Sequence, residues 1–313
     1  MPATFRSFAK VNLHLQVVAR RPDGYHELRT VFQTIDLHDR LTVGFAAELA
    51  AGSIELEVAG APGLASGDEN LARRAAAAYL AAYPAACPAQ AGVRIRLEKR
   101  IPMGGGLGGG SSNAACVLLA LRELTGQPER RLDLWPLARG IGADVPYFLC
   151  AGTALGVGRG DEIVPLPELP EGELWLVLPP FGISTAAVFA ALGSSPEAFG
   201  RPLAPAVLAL AAGEVPASAA AFAGTNDLER AARTVSPELA DLCDTFRAIP
   251  GVQWLRMTGS GATLIAGIEA PAEGAIARRL PAGVRLRRVR TLSRQSTWAA
   301  FHCGEGDGGD GDH

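Results

Sequence analysis

The sequence has no apolar run long enough to cross a membrane, and its charge is nearly balanced. Within 313 residues no stretch reaches the roughly 18 consecutive apolar residues of a membrane span. The first residues, Met1 to Arg6, lack the apolar stretch of a secretory signal. The net charge of −3 is too small to direct binding to nucleic acid or membranes by itself. We therefore expect a cytoplasmic protein that binds neither nucleic acid nor membranes.

Cysteine is scarce and scattered. The five cysteines, at positions 87, 116, 150, 243 and 303, form no Cys-x-x-Cys pair. An odd, unclustered set fits reduced thiols better than a disulfide framework or a zinc site. The sequence also does not indicate which residues would bind a metal ion.

Lysine is nearly absent, because only Lys10 and Lys99 occur among 29 basic residues. Because arginine supplies nearly all the other positive charges, each of the two lysines invites a specific explanation. Lys10 lies in an alternating segment, where a lysine is ordinarily a solvated strand residue. Lys99 is followed by Arg100, and we expect it to be an exposed charge at a strand end.

Several segments alternate apolar and polar residues, which predicts strands with one buried face and one wet face. The clearest lie at residues 7–18, 54–58 and 93–98. Parallel sheets that are covered on both faces would instead give continuous apolar strands. The sequence therefore predicts an α+β fold with mixed, largely antiparallel sheets and helices.

Helix-forming residues cluster at 70–83, 113–125, 185–192, 203–212 and 226–247, and residues 254–268 predict two strands about a glycine turn. Prolines at 165, 167 and 170 mark a domain boundary. We expect an N-terminal domain at 1–160 and a C-terminal domain at 161–303. The Gly/Asp-rich segment 304–313 has nothing to bury and is predicted to be disordered.

A glycine-rich loop lies between the predicted strand at 93–98 and the predicted helix at 113–125. Glycine lets backbone N–H groups approach an anion closely and adopts positive φ angles. The helix N-terminus adds free N–H groups and a partial positive charge. This arrangement suits the polyphosphate of a nucleotide. The predicted nucleotide-binding residues are Pro102, Met103, Gly104, Gly105, Gly106, Leu107, Gly108, Gly109, Gly110, Ser111 and Ser112.

Three other interpretations of this loop are weaker. A flexible linker would join separately packed units, whereas this loop is framed by a strand and a helix. A P-loop requires Lys-Ser/Thr after its last glycine, and here two serines follow without a lysine. A dinucleotide-binding fingerprint matches superficially, but the preceding strand carries Arg94, Arg96 and Glu98 on one face.

The loop sequence Pro-x-Gly-Gly-Gly-Leu-Gly-Gly-Gly-Ser-Ser resembles the second motif of the GHMP kinases. Stretches at 9–13, 21–28, 142–146 and 257–262 resemble the branch of that family that acts on a cytidine diphosphate-linked methylerythritol in non-mevalonate isoprenoid synthesis. The resemblance implies a two-domain GHMP-kinase-like fold with ATP and Mg²⁺ as cofactors. It also implies phosphoryl transfer to the 2-hydroxyl of this small molecule, by a monomer or a homodimer.

The resemblance further implies catalytic roles for Asp144 and Lys10. Asp144, in the stretch at 142–146, would be the general base that accepts the proton of the alcohol. Taken alone, it would be a helix-cap or turn aspartate. Lys10 would keep Asp144 ionised and lower the barrier to alkoxide formation.

The resemblance also implies substrate-binding residues around Lys10 and Asp144. The resemblance implies a cytosine site at Tyr25 and His26, with an opposing aromatic ring for which Phe181 is the candidate. Asn12 lies two residues beyond the predicted catalytic lysine, on the same strand face, and would bind substrate hydroxyls. Thr185 would lie near the substrate. Without the resemblance, Tyr25 and His26 would be hairpin packing and Asn12 a sheet-surface amide.

Two further motifs indicate structure more than chemistry. Gly-Ser-Gly at 259–261 predicts a turn that packs against the glycine loop. The segment 226–229, Asn-Asp-Leu-Glu, predicts a helix capping box.

Two other classes of function stay open. One is a different GHMP enzyme, such as a homoserine or mevalonate kinase, which would not need the base site at Tyr25 and His26. The other is a non-enzymatic nucleotide- or RNA-binding protein. Lys10 and Asp144 together, without a strong basic excess or a series of stacking aromatics, argue against it.

Overall fold

The computed structural model describes residues 2–126, 133–193, 201–222, 224–269, 274, 276 and 278–303. The tail at 304–313, which was predicted to be disordered, lies outside the described residues. The strands are β1 (Ala3–Arg20), β2 (His26–Ala46), β3 (Ile54–Ala59), β4 (Gly92–Glu98), β5 (Thr153–Val157), β6 (Glu162–Pro165), β7 (Glu173–Leu178), β8 (Val252–Met257), β9 (Leu264–Ile268) and β10 (Arg285–Leu292).

Helices account for most of the remaining regular structure. They are α1 (Leu71–Ala82), α2 (Gly109–Leu124), α3 (Trp135–Ile141), α4 (Val145–Cys150), α5 (Thr185–Leu192), α6 (Pro205–Ala211), α7 (Leu228–Val235), α8 (Pro237–Arg247) and a last short helix at Arg294–Ala299. The helical stretch predicted at 226–247 is divided into α7 and α8, because Pro237 has no N–H to continue the helical ladder. The Ser236 side chain instead accepts the N–H of Leu239 at 3.2 Å and begins α8. In the described part of the chain, no helix is both long and apolar enough to span a membrane.

The strands form a mixed sheet that is almost wholly antiparallel. Its main path runs β3-β4-β2-β10-β7-β9-β8, with β1 paired to β2 and β5 paired to both β2 and β6. Among the described strands, only β3 and β4 pair in parallel. The predicted α+β fold with largely antiparallel sheets is confirmed.

The polar side chains of β1 are buried, so the prediction of a wet strand face is wrong for this strand. Lys10, Asn12, His14 and Gln16 have exposed fractions of 3 to 4%. Most of their polar atoms have partners inside the protein, although His14 Nε2 and Gln16 Oε1 have none. The Gln16 amide, for example, donates to the carbonyl of Pro202 at 3.0 Å. The two faces of β1 therefore differ in polarity, but both are buried. One face packs in the apolar core, and the other holds polar side chains that are also shielded from solvent.

Three apolar clusters form the core. The first packs α1, α2 and α4 against β2 and β4. The second lies around β7 and includes Val11 of β1, and the third lies around α8 and includes Val17. Because β1 contributes to the second and third clusters, it links these cores. The division into domains near residue 160 stays a prediction.

Lys99 is buried in an ion pair with Asp39, and the prediction of an exposed strand-end charge is wrong. The Lys99 side chain is 5% exposed and the Asp39 side chain is fully buried. The Asp39 carboxylate also accepts the backbone N–H groups of Arg100 and Ile101, at 2.7 and 2.8 Å. Buried charges persist when they are paired and hydrogen-bonded. This pair fixes the chain immediately before the glycine loop.

Asp39→Asn should lower the free energy of unfolding by about 3–5 kcal/mol, because it leaves the Lys99 ammonium buried without its counter-charge. The control is Asp68→Asn. The Asp68 side chain, which pairs with Arg73, is 96% exposed, so its loss should cost about 1 kcal/mol or less. Urea unfolding followed by circular dichroism measures both variants. Equal losses would contradict a stabilising role for the buried pair.

Candidate active site

A cavity of about 1090 Å³ opens between the glycine loop, strands β1 and β2, and helix α5. Turns at residues 143–144, 159–160 and 259–260 complete its wall. The fold thus brings residues from distant parts of the sequence to one place. The predicted site residues that line the cavity are Lys10, Asn12, Tyr25, His26, Gly104, Gly106, Gly108, Ser111, Asp144 and Thr185.

The glycine loop requires glycine for its conformation and for its packing. Gly104, Gly106 and Gly108 have φ angles of 69, 76 and 72°. A Cβ atom at Gly106 would lie 2.6 Å from the carbonyl oxygen of Thr258. The loop therefore packs directly on the turn at 258–261, as predicted.

Helix α2 begins inside the glycine motif, at Gly109, and not at residue 113 as predicted. Gly108 is the N-cap residue, in the left-handed conformation, and has no side chain to cap the first turn. The first N–H groups of a helix have no carbonyl partner within the helix. At this helix they are available to an anion in the cavity.

Not every residue of the predicted nucleotide-binding set presents its side chain to the cavity. Leu107 is buried in the second core, and its carbonyl accepts the N–H of Lys10 at 3.1 Å. The Ser112 hydroxyl is buried and donates to the carbonyl of Phe8 at 2.6 Å. The side chains of Leu107 and Ser112 therefore serve the fold, and Ser111 is the serine that lines the cavity.

The Lys10 ammonium is buried beside the carboxylate of Asp144. Lys10 Nζ lies 3.5 Å from Asp144 Oδ2 and donates to Asn12 Oδ1 at 2.7 Å. Asn12 Nδ2 donates in turn to Thr30 Oγ1 at 2.7 Å, which fixes the orientation of the amide. The ring of Phe32 has its centre 5.4 Å from Lys10 Nζ. The ammonium thus has a carboxylate, an amide oxygen and an aromatic ring as neighbours.

Asp144 occupies the N-cap position of α4, but its side chain makes no capping hydrogen bond. The helix-cap role that a lone aspartate would ordinarily have is therefore absent. The side chain is 37% exposed, whereas that of Lys10 is 3% exposed. A carboxylate that is held near a buried ammonium and is open to the cavity can accept a proton from a bound alcohol.

Aromatic rings line the part of the cavity away from Lys10, since His26 of β2 pairs with Arg20 at the end of β1, whereas Lys10 pairs with Thr34, eight residues further along β2. Tyr25 is 58% exposed, and the Arg159 guanidinium lies 5.3 Å from the centre of its ring. The His26 ring stacks on Phe189, with centroids 4.8 Å apart and planes at 24°. Phe181 packs against the third core. Phe189 packs against the same core, but it also lines the cavity, whereas Phe181 is not among the lining residues. The aromatic side chain beside His26 is therefore Phe189, and a role for Phe181 stays a prediction.

The His26 imidazole is kept neutral. Burial lowers the pKa of His26 below its ordinary value of 6.5, and the positive charge of Arg20 lowers this pKa further. A neutral imidazole has one N–H donor and one acceptor nitrogen. This pattern suits hydrogen bonds to the edge of a pyrimidine base at neutral pH.

The turn at 258–261 is held from two sides. Thr185 Oγ1, in the first turn of α5, lies 2.7 Å from Ser260 Oγ. Asn226 Nδ2 donates to the carbonyls of Met257 and Gly259, both at 2.8 Å. Asn226 Oδ1 accepts the N–H of Leu228 at 2.9 Å, as a cap would, but the Glu229 carboxylate accepts the N–H of Met257 at 3.0 Å, so the reciprocal half of the predicted capping box is not seen. The segment at 226–229 braces the turn instead.

Comparisons with known proteins agree with this geometry. The family described as "GHMP kinases N terminal domain" matches residues 70–152. A 4-diphosphocytidyl-2-C-methyl-D-erythritol kinase from Pelotomaculum thermopropionicum is 41% identical over 88% of this chain and 92% of its own length. One from Thermus thermophilus is 42% identical over 84% of this chain and 86% of its own length. The chain belongs to the GHMP kinases.

Solved structures extend the likeness to the fold of this small-molecule kinase. A crystal structure of 4-(cytidine 5'-diphospho)-2C-methyl-D-erythritol kinase, 39% identical, has a TM-score of 0.72 and covers 92% of this chain and 98% of its own. A homoserine kinase from Cytophaga hutchinsonii, 18% identical, has a TM-score of 0.63 and covers 93% of this chain and 95% of its own. At that identity, the second likeness concerns the fold alone.

Several lining residues of this kinase were missed from the sequence. Thr30, Phe32 and Phe189 belong to ordinary strand and helix patterns, and nothing in those patterns distinguishes them. Arg20 ends β1, and Arg159 stands between two glycines in the β5–β6 turn. The Gly-Arg-Gly sequence predicts a turn, but it does not indicate that the turn reaches the cavity.

Gly108→Ala and Gly104→Ala form a matched pair, because both positions have positive φ. A Cβ at Gly108 would lie 2.8 Å from Phe148 Cζ and 3.1 Å from Lys10 Cε, whereas at Gly104 no atom of the described residues lies within 4 Å. We expect Gly108→Ala to lower kcat about 100-fold by displacing Lys10. Gly104→Ala should lower it far less. Steady-state kinetics, with circular dichroism to verify folding, measures both, and equal kcat values would contradict the steric argument.

Proposed function

We propose that this kinase transfers the terminal phosphoryl group of ATP to the 2-hydroxyl of 4-diphosphocytidyl-2-C-methyl-D-erythritol, a step of non-mevalonate isoprenoid precursor synthesis. The observation that carries the proposal is one cavity with two chemically different ends. One end has the glycine loop beside Lys10 and Asp144. The other has Tyr25 and His26. The names of the similar proteins support the same substrate.

ATP would bind with its phosphates on the glycine loop. The free N–H groups at the start of α2 and the backbone around Gly104, Gly106 and Gly108 favour an anion there. Mg²⁺ prefers oxygen ligands and commonly takes one or two from the protein beside phosphate oxygens and water. The Ser111 hydroxyl, which lines the cavity at the start of α2, is an oxygen donor that fits it. When bound, Mg²⁺ would neutralise charge on the phosphate oxygens.

Asp144 would be the general base. The substrate oxygen attacks the terminal phosphorus of ATP and gives its proton to an Asp144 oxygen, while the bond to the ADP oxygen breaks. Lys10 would assist by holding this carboxylate in place, with its Nζ 3.5 Å from Asp144 Oδ2. The same ammonium stabilises negative charge that develops on the attacking oxygen.

The acceptor would lie across the cavity. Tyr25 and His26 bind the cytosine, with Phe189 behind the imidazole. The neutral His26 supplies a donor and an acceptor to the edge of the base. Asn12 and Thr185 would bind hydroxyl groups of the methylerythritol, near the point of transfer.

A panel of acceptors tests the proposed substrate. With ATP and Mg²⁺, the kinase should phosphorylate the cytidylyl methylerythritol and leave homoserine, mevalonate and galactose unmodified, because those compounds have no base for the aromatic end. Phosphorus NMR of the products measures the transfer. Faster transfer to any of the three other acceptors would contradict the proposal.

Asp144→Asn should lower kcat about 10²–10⁴-fold, because the amide cannot accept the proton. The dissociation constant of ATP should change little. Lys10→Ala should be similarly impaired, and Lys10→Arg should restore little, since guanidinium differs from ammonium in shape. Asp241→Asn, at an exposed position on α8, is the control. Turnover of Asp144→Asn within a few-fold of the parent enzyme would exclude the general-base role.

A further inference from the structure

The turn between β5 and β6 carries an arginine into the cavity. Arg159 and Gly160 belong to the cavity wall. The Arg159 guanidinium lies over the Tyr25 ring, and its Nη2 donates to Asp161 Oδ2 at 2.8 Å. A guanidinium has five N–H donors, so this ion pair leaves others for a ligand.

Hydrogen bonds hold this turn in place. The N–H of Leu28 donates to the carbonyl of Gly158 at 2.7 Å. The N–H of Gly158 donates to the Glu27 carboxylate, and the N–H of Arg159 donates to Asp161 Oδ1, both at 3.1 Å. Arg159 is therefore presented from a turn that is anchored to β2 at residues 27 and 28.

The anchor lies between the two ends of the cavity. Along β2, Leu28 is two residues from His26 at the aromatic end. It is four residues from Phe32, whose ring lies beside the Lys10 ammonium. At about 3.3 Å per residue, these separations are about 7 and 13 Å. A ligand that reaches from His26 to Lys10 must pass the turn that carries Arg159.

The charged residues of the cavity wall also fall into two groups, one at each end of the cavity. Its charged side chains in the described residues are Lys10, Arg20, Arg159 and Asp144. Lys10 and Asp144, both in the wall, pair with each other. The partner of Arg159 is Asp161, which is not among the lining residues, so the two arginines are the cations that the wall presents towards the aromatic end. A guanidinium binds phosphate oxygens through parallel N–H donors.

We propose that Arg159, together with Arg20, binds the diphosphate that links the cytidine and methylerythritol halves of the acceptor. This inference rests on the proposed function and names the group through which the site recognises a diphosphate-linked compound. Asp161 orients the guanidinium, and the Tyr25 ring packs against it. The cytosine and the linker are then recognised by adjoining residues.

The test compares CDP and cytidine as inhibitors competing with the acceptor. CDP should inhibit the parent enzyme more strongly than cytidine does. Arg159→Ala should raise the inhibition constant of CDP about 10- to 100-fold, the range for a lost hydrogen bond to a charged group, and should leave that of cytidine nearly unchanged. Arg159→Lys should recover part of the CDP affinity. Arg139→Ala, at an exposed arginine of α3, should match the parent.

The outcomes separate this inference from the function on which it rests. If Arg159→Ala weakened CDP and cytidine equally, Arg159 would act only by packing on Tyr25, and the proposed diphosphate contact would be wrong. If neither compound competed with the acceptor in the parent enzyme, the cytidine-based substrate itself would be wrong, and this inference with it.

Discussion

A buried ammonium group must have polar neighbours, and the site of this kinase is arranged around that requirement. Lys10 is almost wholly shielded from water, and removing a charge from water is costly unless the charge is paired and hydrogen-bonded. Asn12 and Asp144 meet the requirement from two different elements. Gly108 leaves space for the lysine side chain, because a Cβ atom at position 108 would lie only 3.1 Å from two carbon atoms of Lys10. The glycine loop and the charged pair therefore depend on each other.

The glycine loop is anchored before its first residue, after its last residue and by packing along its length. The Asp39–Lys99 pair fixes the chain before it, and the buried Ser112 hydroxyl fixes the start of α2 after it. Gly106 packs on the carbonyl of Thr258, in a turn that Asn226 braces. The glycine-loop end of the cavity is thus anchored by several contacts within the fold, whereas Tyr25 at the other end is largely exposed. Preorganised polar groups of this kind stabilise charge in a transition state without having to reorganise.

Patterns that depend on local chemistry could be read from the sequence. The glycine loop and the alternation of β1 predicted a phosphate site and a strand, and the resemblance indicated Lys10 and Asp144. Properties that depend on tertiary contacts could not be read in this way. Alternation cannot distinguish a wet face from a polar interior, which is why the burial of β1 and of Lys99 was missed. Phe181 and Phe189 lie eight residues apart around one helix start, and only packing shows that Phe189 meets His26.

A crystal structure of the kinase with a non-hydrolysable ATP analogue and the cytidylyl methylerythritol would test the central claim most directly. The account predicts that the terminal phosphate lies against the loop from Gly104 to Ser111, with the acceptor hydroxyl about 2.6–3.2 Å from an Asp144 oxygen and Lys10 beside both. A nucleotide bound away from this loop, or an acceptor hydroxyl out of reach of Asp144, would contradict it.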